Sequence, residues 1–149
     1  MSPLLNYSTK VSAIKTAGEI TGVLVSHRAR AILTEYGSDN EVTALAFKVN
    51  TPHGEVAIRL PIDADAVQKV LKKQRVAPRF LDREQAVRIA WRIVKDWVEA
   101  QMAILETEMV TLDQIFLPYI VMKDGRTVYQ RLLDTHFQLP EGRKEDDMP

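Results

Sequence analysis

The chain has 149 residues, of which 46% are hydrophobic and 27% charged, with a formal net charge of zero; this is the composition of a soluble globular protein, and neither disorder nor low complexity fits it. It contains no cysteine, which excludes disulfides, thiolate catalysis and cysteine-based zinc sites. No window approaches the roughly eighteen apolar residues of a spanning helix, and the opening MSPLLNYSTK lacks the basic and apolar regions of a signal peptide, so a cytoplasmic location is expected.

In chain order, a short extended lead precedes a helix predicted over 10–26, capped by Ser8 or Thr9, with Val11, Ile14, Ile20, Val23 and Leu24 as its apolar positions. Gly18 and Gly22 lie four apart; each lowers helix propensity by roughly 1 kcal/mol, so close packing of this helix onto a sheet is the expected use of the pair. The stretches ARAILTEYG and EVTALAFKV, separated by Gly37-Ser38-Asp39-Asn40, read as a hairpin. The turn Thr51-Pro52-His53-Gly54 then leads into EVAIRLPI, which gives a three-stranded antiparallel meander ended by Pro61. Asp63 caps a helix through Val67, Val70 and Leu71, and QRVAPRF breaks it because the residue before Pro78 is pushed out of helical geometry. A linker follows.

Asp82, with Gln85 three residues on, reads as a capping-box start for the longest helix, about 82–108. Its apolar positions Val87, Ala90, Trp91, Ile93, Val94, Trp97, Val98, Met102, Ile104 and Leu105 fill about half the circumference at 100° per residue, a face wide enough to want burial on two sides. Thr111 with Gln114 starts a short helix that Pro118 ends, and Thr127 with Gln130 starts another through Leu132 and Leu133. Asp124-Gly125 is also a hairpin signal, but 119–129 is read as loop then helix. The fold class is therefore α+β: an α-β-β-β-α unit over 1–76 built on the meander, then a helical half over 77–139 made of the long helix and short C-terminal helices. The two pack as one structural unit, and the polar stretch 140–149, PEGRKEDDMP, reads as a mobile tail.

The zero net charge conceals an uneven layout. Residues 69–95 carry nine basic and two acidic groups, whereas 96–149 carry five and eleven. Such asymmetry suits a polyanionic partner or association between unlike patches. Lys69, Lys72, Lys73, Arg75, Arg79 and Arg83 fall within fifteen residues whose only acid is Asp82. With Phe80 beside them, they fit phosphate contacts next to a stacking ring, as in single-stranded nucleic-acid binding; the alternative is a basic connector that packs against the acidic C-terminal third. The stretch RIAWRIVKDW, 88–97, offers a second basic and aromatic combination. Its Glu84–Arg88, Arg92–Asp96 and Lys95–Glu99 spacings are opposite-sign i,i+4 pairs, so it reads as a solvated ion-paired face backed by Trp91 and Trp97 as core anchors.

Catalytic signatures are missing: there is no glycine-rich phosphate loop, no HExxH and no nucleophile elbow. His27 at a helix end and His53 in a hairpin turn read as structural, as do Asp63 and Asp65 at a helix start. No catalytic residue, metal or cofactor is expected.

Taken together, NYST, KTAGEI, ALAFKV, GEVAIRLP, RIAWRIVKDWVEAQ and FLPY resemble a group of small proteins found in bacteriophages and integrated mobile elements, and the similarity spans nearly the whole chain. The resemblance implies a mobile-element setting and supplies no catalytic residues. The ending EDDMP is similar to the acidic tail tip of bacterial single-stranded DNA-binding proteins without its terminal aromatic, and offers a docking point for a protein partner. The α-β-β-β-α order over 10–75 is similar to the double-stranded-RNA-binding domain, but the lysines here fall late in the second helix, so RNA binding is not carried over.

The leading expectation is a non-enzymatic protein that binds nucleic acid, single-stranded DNA above all, as a homo-oligomer. Lys69, Lys72, Lys73, Arg75, Arg79 and Arg83 would hold phosphates and Phe80 would stack. Two other classes stand beside it: a counter-defence protein capturing a small nucleotide signal or a host protein, and an assembly subunit using the apolar face of the 82–108 helix.

Overall fold

The computed structural model of the chain describes residues 2–138; the tail read over 140–149, with its EDDMP ending, lies outside the described residues. Helix α1 (Ala13–Ser26) leads into the strands β1 (Ala31–Tyr36), β2 (Val42–Thr51) and β3 (Gly54–Arg59). These are followed by α2 (Ala64–Gln74), α3 (Arg83–Glu106), α4 (Leu112–Phe116), a short β4 (Ile120–Val121) and α5 (Val128–Asp134). The architecture is the mixed α+β arrangement expected, with the antiparallel meander, the long helix and the short C-terminal helices.

Local capping chemistry sets most boundaries. Asp63 accepts from the Ala66 N–H at 3.0 Å to start α2, and Thr111 and Thr127 open α4 and α5 in capping boxes with Gln114 and Gln130. The start of α1 departs from expectation. Thr9 Oγ1 is taken by the Val11 N–H at 3.2 Å, so the cap is Ser12, which accepts from the Lys15 N–H at 3.2 Å. The glycine pair departs as well: Ala13, Ala17, Ile20 and Leu24 face the core, while Gly18 and Gly22 are exposed, and a Cβ added at either would meet nothing within 4 Å. The small residues on the buried side of α1 are Ala13 and Ala17, not the glycines.

The sheet has four strands in the order β1-β2-β3-β4, all antiparallel. The fourth strand corrects the reading of 119–129 as a loop. Ile120 and Val121 pair with Ile58 and Ala57, and the Asp124-Gly125 hairpin signal is realised, with Gly125 at φ +83° and the Met122 N–H donating to the Arg126 carbonyl at 2.7 Å.

Helix α3 buries both flanks. Val87, Trp91, Val94, Val98 and Met102 join Ile20 and Leu24 of α1, Leu45, Phe47 and Ile58 of the sheet, and Phe116 in the main core. Ala86 and Ile89 join Leu71 of α2 in a second cluster, which Leu4, Tyr7, Val76 and Leu81 complete. Its apolar positions are thus spent largely within the chain. Trp91 is fully buried, and its indole Nε1–H has no hydrogen-bond partner among the described residues. Trp97 meets Phe116 and Tyr119 edge-on, with ring centroids 5.6 and 5.5 Å apart. The polar side of RIAWRIVKDW is less solvated than expected. Glu84–Arg88 (3.4 Å) and Lys95–Glu99 (2.9 Å) form, but Arg92 reaches Glu19 of α1 instead of Asp96, and Asp96 accepts from Asn6 Nδ2 at 2.9 Å. These side chains clamp α1 and the N-terminal lead onto α3.

Candidate functional site

The basic segment between α2 and α3 is a tied corner. After Gln74 the chain enters the left-handed region at Arg75 (φ 54°, ψ 42°), whose N–H donates to the Lys72 carbonyl at 3.2 Å. Pro78–Phe80 then forms a 3₁₀ turn. Val76 and Leu81 anchor the corner in the second cluster, and Gln68 Nε2 donates to the Leu81 carbonyl at 3.1 Å, binding the turn back to α2. What reads as a linker in sequence is therefore held at both ends.

The N-terminal lead forms the opposite wall. The Leu4 N–H donates to Gln74 Oε1 at 2.9 Å, and Gln85, itself buried, donates from Nε2 to the carbonyls of Tyr7 (2.9 Å) and Thr9 (3.0 Å). Gln85 was expected to complete a capping box. Its N–H does bond to Asp82 Oδ1 at 2.8 Å, but its side chain crosses to the lead and accepts from Arg88 at 2.7 and 2.9 Å. Tyr7 is thereby held against Phe80, edge to face, with centroids 5.3 Å apart.

Between the walls lies a cleft of about 420 Å³ lined by Tyr7, Lys73, Gln74, Arg75, Arg79 and Phe80, with Pro3, Val76 and Ala77. Arg79 stacks over the Phe80 ring, its Cζ 4.7 Å from the centroid, a cation–π arrangement that gives the cleft a planar, positively charged wall. Four of the seven site residues read from sequence, Lys73, Arg75, Arg79 and Phe80, converge there. Lys69 and Lys72 share the exposed face of α2 with Lys73, at helical spacings of three and four, and so extend the positive surface up to the cleft. The negative end of the α2 dipole favours this gathering of cations. Arg83 does not join them: as the first residue of α3 it points to the start of α2, where it pairs with Asp65.

Among the described residues, Lys69, Lys72, Lys73, Arg75 and Arg79 have no carboxylate within 4.0 Å; the ion pairs involve other cations. Arg75 also occupies a left-handed cap that ordinarily falls to glycine, as Arg28 after α1 and Glu108 after α3 likewise have positive φ.

Three participants escaped the reading of the sequence. Tyr7 and Gln74 line the cleft and Gln85 holds Tyr7 from behind it, through contacts bridging about seventy residues or more of chain, and no local pattern signals such pairings. The histidines lie elsewhere: His27 Nδ1 contacts the Val23 carbonyl at 2.8 Å and Nε2 contacts Glu106 at 2.9 Å. The Val23 carbonyl first, and Glu106 next, raise its pKa above the ordinary value, with burial opposing. Among the described residues no three histidine or carboxylate side chains gather as a metal-binding group, and no helix is long and apolar enough to cross a membrane. Compared with protein-family models, curated proteins and solved structures, the chain matches none.

Proposed function

We propose that this protein binds nucleic acid, single-stranded DNA above all, through the cleft between the N-terminal lead and the α2–α3 corner, and that it does so without catalysis, in the cytoplasm, as an oligomer serving a phage or mobile element. The observation that carries the reading is the convergence of Lys73, Arg75 and Arg79, free of described carboxylates, on an aromatic pair. An unstacked base offers its face to Phe80 and Arg79 while its flanking phosphates meet Arg75, Lys73 and the lysines of α2. A duplex keeps its bases stacked and offers no such face.

The test is fluorescence anisotropy with labelled single-stranded oligonucleotides and the variant Lys73→Glu/Arg79→Glu, with Lys123→Glu as a distant control. The double reversal is expected to lose affinity by a factor of at least ten, and the control to bind as the parent does. Equal loss in both, or in neither, contradicts the assignment. A second reading follows from the cleft's volume, which suits a single nucleotide: capture of a small nucleotide signal. Displacement of the oligonucleotide by mononucleotide at comparable concentration would favour it.

A further inference from the structure

Strand β1 is an open edge of the sheet, and the register shows which of its backbone groups are free. The Leu45 carbonyl accepts from the Leu60 N–H at 3.0 Å, so the main-chain groups of Leu45 point toward β3. Strand alternation then turns those of Ala44, Ala46 and Lys48 toward β1, where they face Glu35, Leu33 and Ala31. The N–H and C=O groups of Ile32 and Thr34 therefore point away from the sheet, with no partner among the described residues. Leu33, on the sheet face away from the helices, is 59% exposed. Neither proline nor lysine interrupts β1, and its register with β2 is regular up to a bulge between Glu35 and Tyr36.

Helix α1 packs against β2, the strand next to this edge. Arg92 bonds to Glu19 and His27 to Glu106, so α3 lies against one flank of α1. Trp97 of α3 packs on Phe116 and on Tyr119, the residue before β4, so α3 sits toward the opposite edge of the sheet. The remaining flank of α1 carries Ile14, Gly18, Thr21 and Val25, one uncharged stripe at spacings of four, three and four. Ile14 is 61% and Val25 55% exposed.

We propose that a second copy of this chain docks here, β1 pairing antiparallel with its counterpart about a two-fold axis at Leu33 and joining the two sheets into one. A two-fold perpendicular to the sheet keeps both helical layers on one side and requires residues of the same face to oppose each other. Leu33 then meets its own equivalent, and Ile32 meets Thr34. This register makes Ile32 and Thr34 the bonded pairs, so their outward groups form four N–H···O bonds across the axis. The charges agree with it. Arg28 and Arg30 lie at the start of the strand, and Glu35, Asp39 and Glu41 at and beyond its end, so antiparallel self-pairing sets the basic end against the acidic end twice, as a self-complementary contact must. On the helical side the two α1 stripes are turned toward each other across the axis.

The proposal deepens the oligomeric part of the function proposed above and is independent of the cleft. Sedimentation velocity on the full chain, over a concentration series and without nucleic acid, tests it. A dimer is expected. Glu35→Arg, which faces Ala31 of the other copy in this register and so places a second arginine diagonal to Arg30, is expected to raise the dimer dissociation constant at least tenfold, and Arg30→Glu/Glu35→Arg to restore it. Leu33→Glu, at an exposed position, is expected to leave folded monomers by circular dichroism. The pairs these changes remove within one chain, Arg30–Glu55 at 4.0 Å and Arg59–Glu35 at 3.7 Å, are exposed and contribute little to folding. A parent that stays monomeric throughout overturns the proposal, even if the edge captures a peptide strand, and so does a dimer indifferent to Leu33→Glu and Glu35→Arg. Oligonucleotide binding measured on the same samples reports separately on the cleft.

Discussion

Replacing Arg75 with glycine separates what this residue does for the fold from what it does for a ligand. Its φ of 54° and ψ of 42° cost a side chain-bearing residue about 1–2 kcal/mol relative to the right-handed region. Glycine adopts the conformation freely, but its greater freedom in the unfolded chain returns about 0.4–1 kcal/mol. The hydrogen bonds that close the helix, from the N–H groups of Arg75 to Lys72 and of Val76 to Leu71, use no side chain and survive the change. Arg75→Gly is therefore expected to stabilise the fold by about 0.5–1 kcal/mol, which raises the melting temperature by about 1–4 °C in a chain of this size. The same variant removes one phosphate contact, reducing the slope of log affinity against log salt by about 0.7. Thermal unfolding by circular dichroism, beside anisotropy on a single-stranded oligonucleotide, reads both. Arg75→Ala keeps the strain and should lose the same binding without the gain in stability. A lower melting temperature with unchanged binding in Arg75→Gly would refute the reasoning and make Arg75 a structural cap.

Phe80→Ala should weaken oligonucleotide binding by about 1–3 kcal/mol through lost stacking; Phe80→Leu, which keeps contact with Tyr7, should lose binding while unfolding near the parent's temperature. Gln85→Leu strands the carbonyls of Tyr7 and Thr9 and the fork of Arg88, so it should cost about 2–3 kcal/mol in chemical denaturation and weaken binding as Tyr7 loosens. For His27, the carbonyl of Val23 and the carboxylate of Glu106 favour the imidazolium and raise its folded pKa. Its contribution is complete below the unfolded value, near 6.5, and is lost as pH rises through the raised one. A pH series of melting temperatures should accordingly fall as pH rises past the ordinary histidine value in the parent and flatten in His27→Gln. Gly22→Ala, with open space at the new Cβ, should raise stability by about 0.8–1 kcal/mol, measured by urea unfolding.

The parts of the fold legible in the sequence are those decided by neighbours in the chain. Asp63, Asp82, Thr111 and Thr127 each open a helix as read, because a cap and its N–H partner lie within one turn. The width of the α3 apolar face correctly required burial on two sides. Features decided by distant residues were not legible. β4 is two residues long, too short to show alternation, and exists because β3 offers it an edge. The glycines of α1 were assigned to the wrong face because the buried small residues are Ala13 and Ala17, and nothing local distinguishes one small residue from another there. In the cleft, the charge cluster and Phe80 were visible as composition, whereas the Tyr7 wall depends on Gln74 and Gln85. Arg83 was grouped with the cluster by proximity in sequence, but the start of α3 turns it toward Asp65.

The most direct measurement is the salt dependence of anisotropy for single-stranded DNA, duplex DNA and RNA oligomers of equal length, at 50 and 200 mM salt. If Lys69, Lys72, Lys73, Arg75 and Arg79 each neutralise a phosphate, log affinity falls with log salt at a slope of about −3.5, which is roughly a hundredfold between those conditions. Binding at 50 mM that prefers the single strand and declines by that order is the predicted result. No binding at 50 mM, or binding insensitive to salt, would contradict it and return the cleft to the capture of a small ligand.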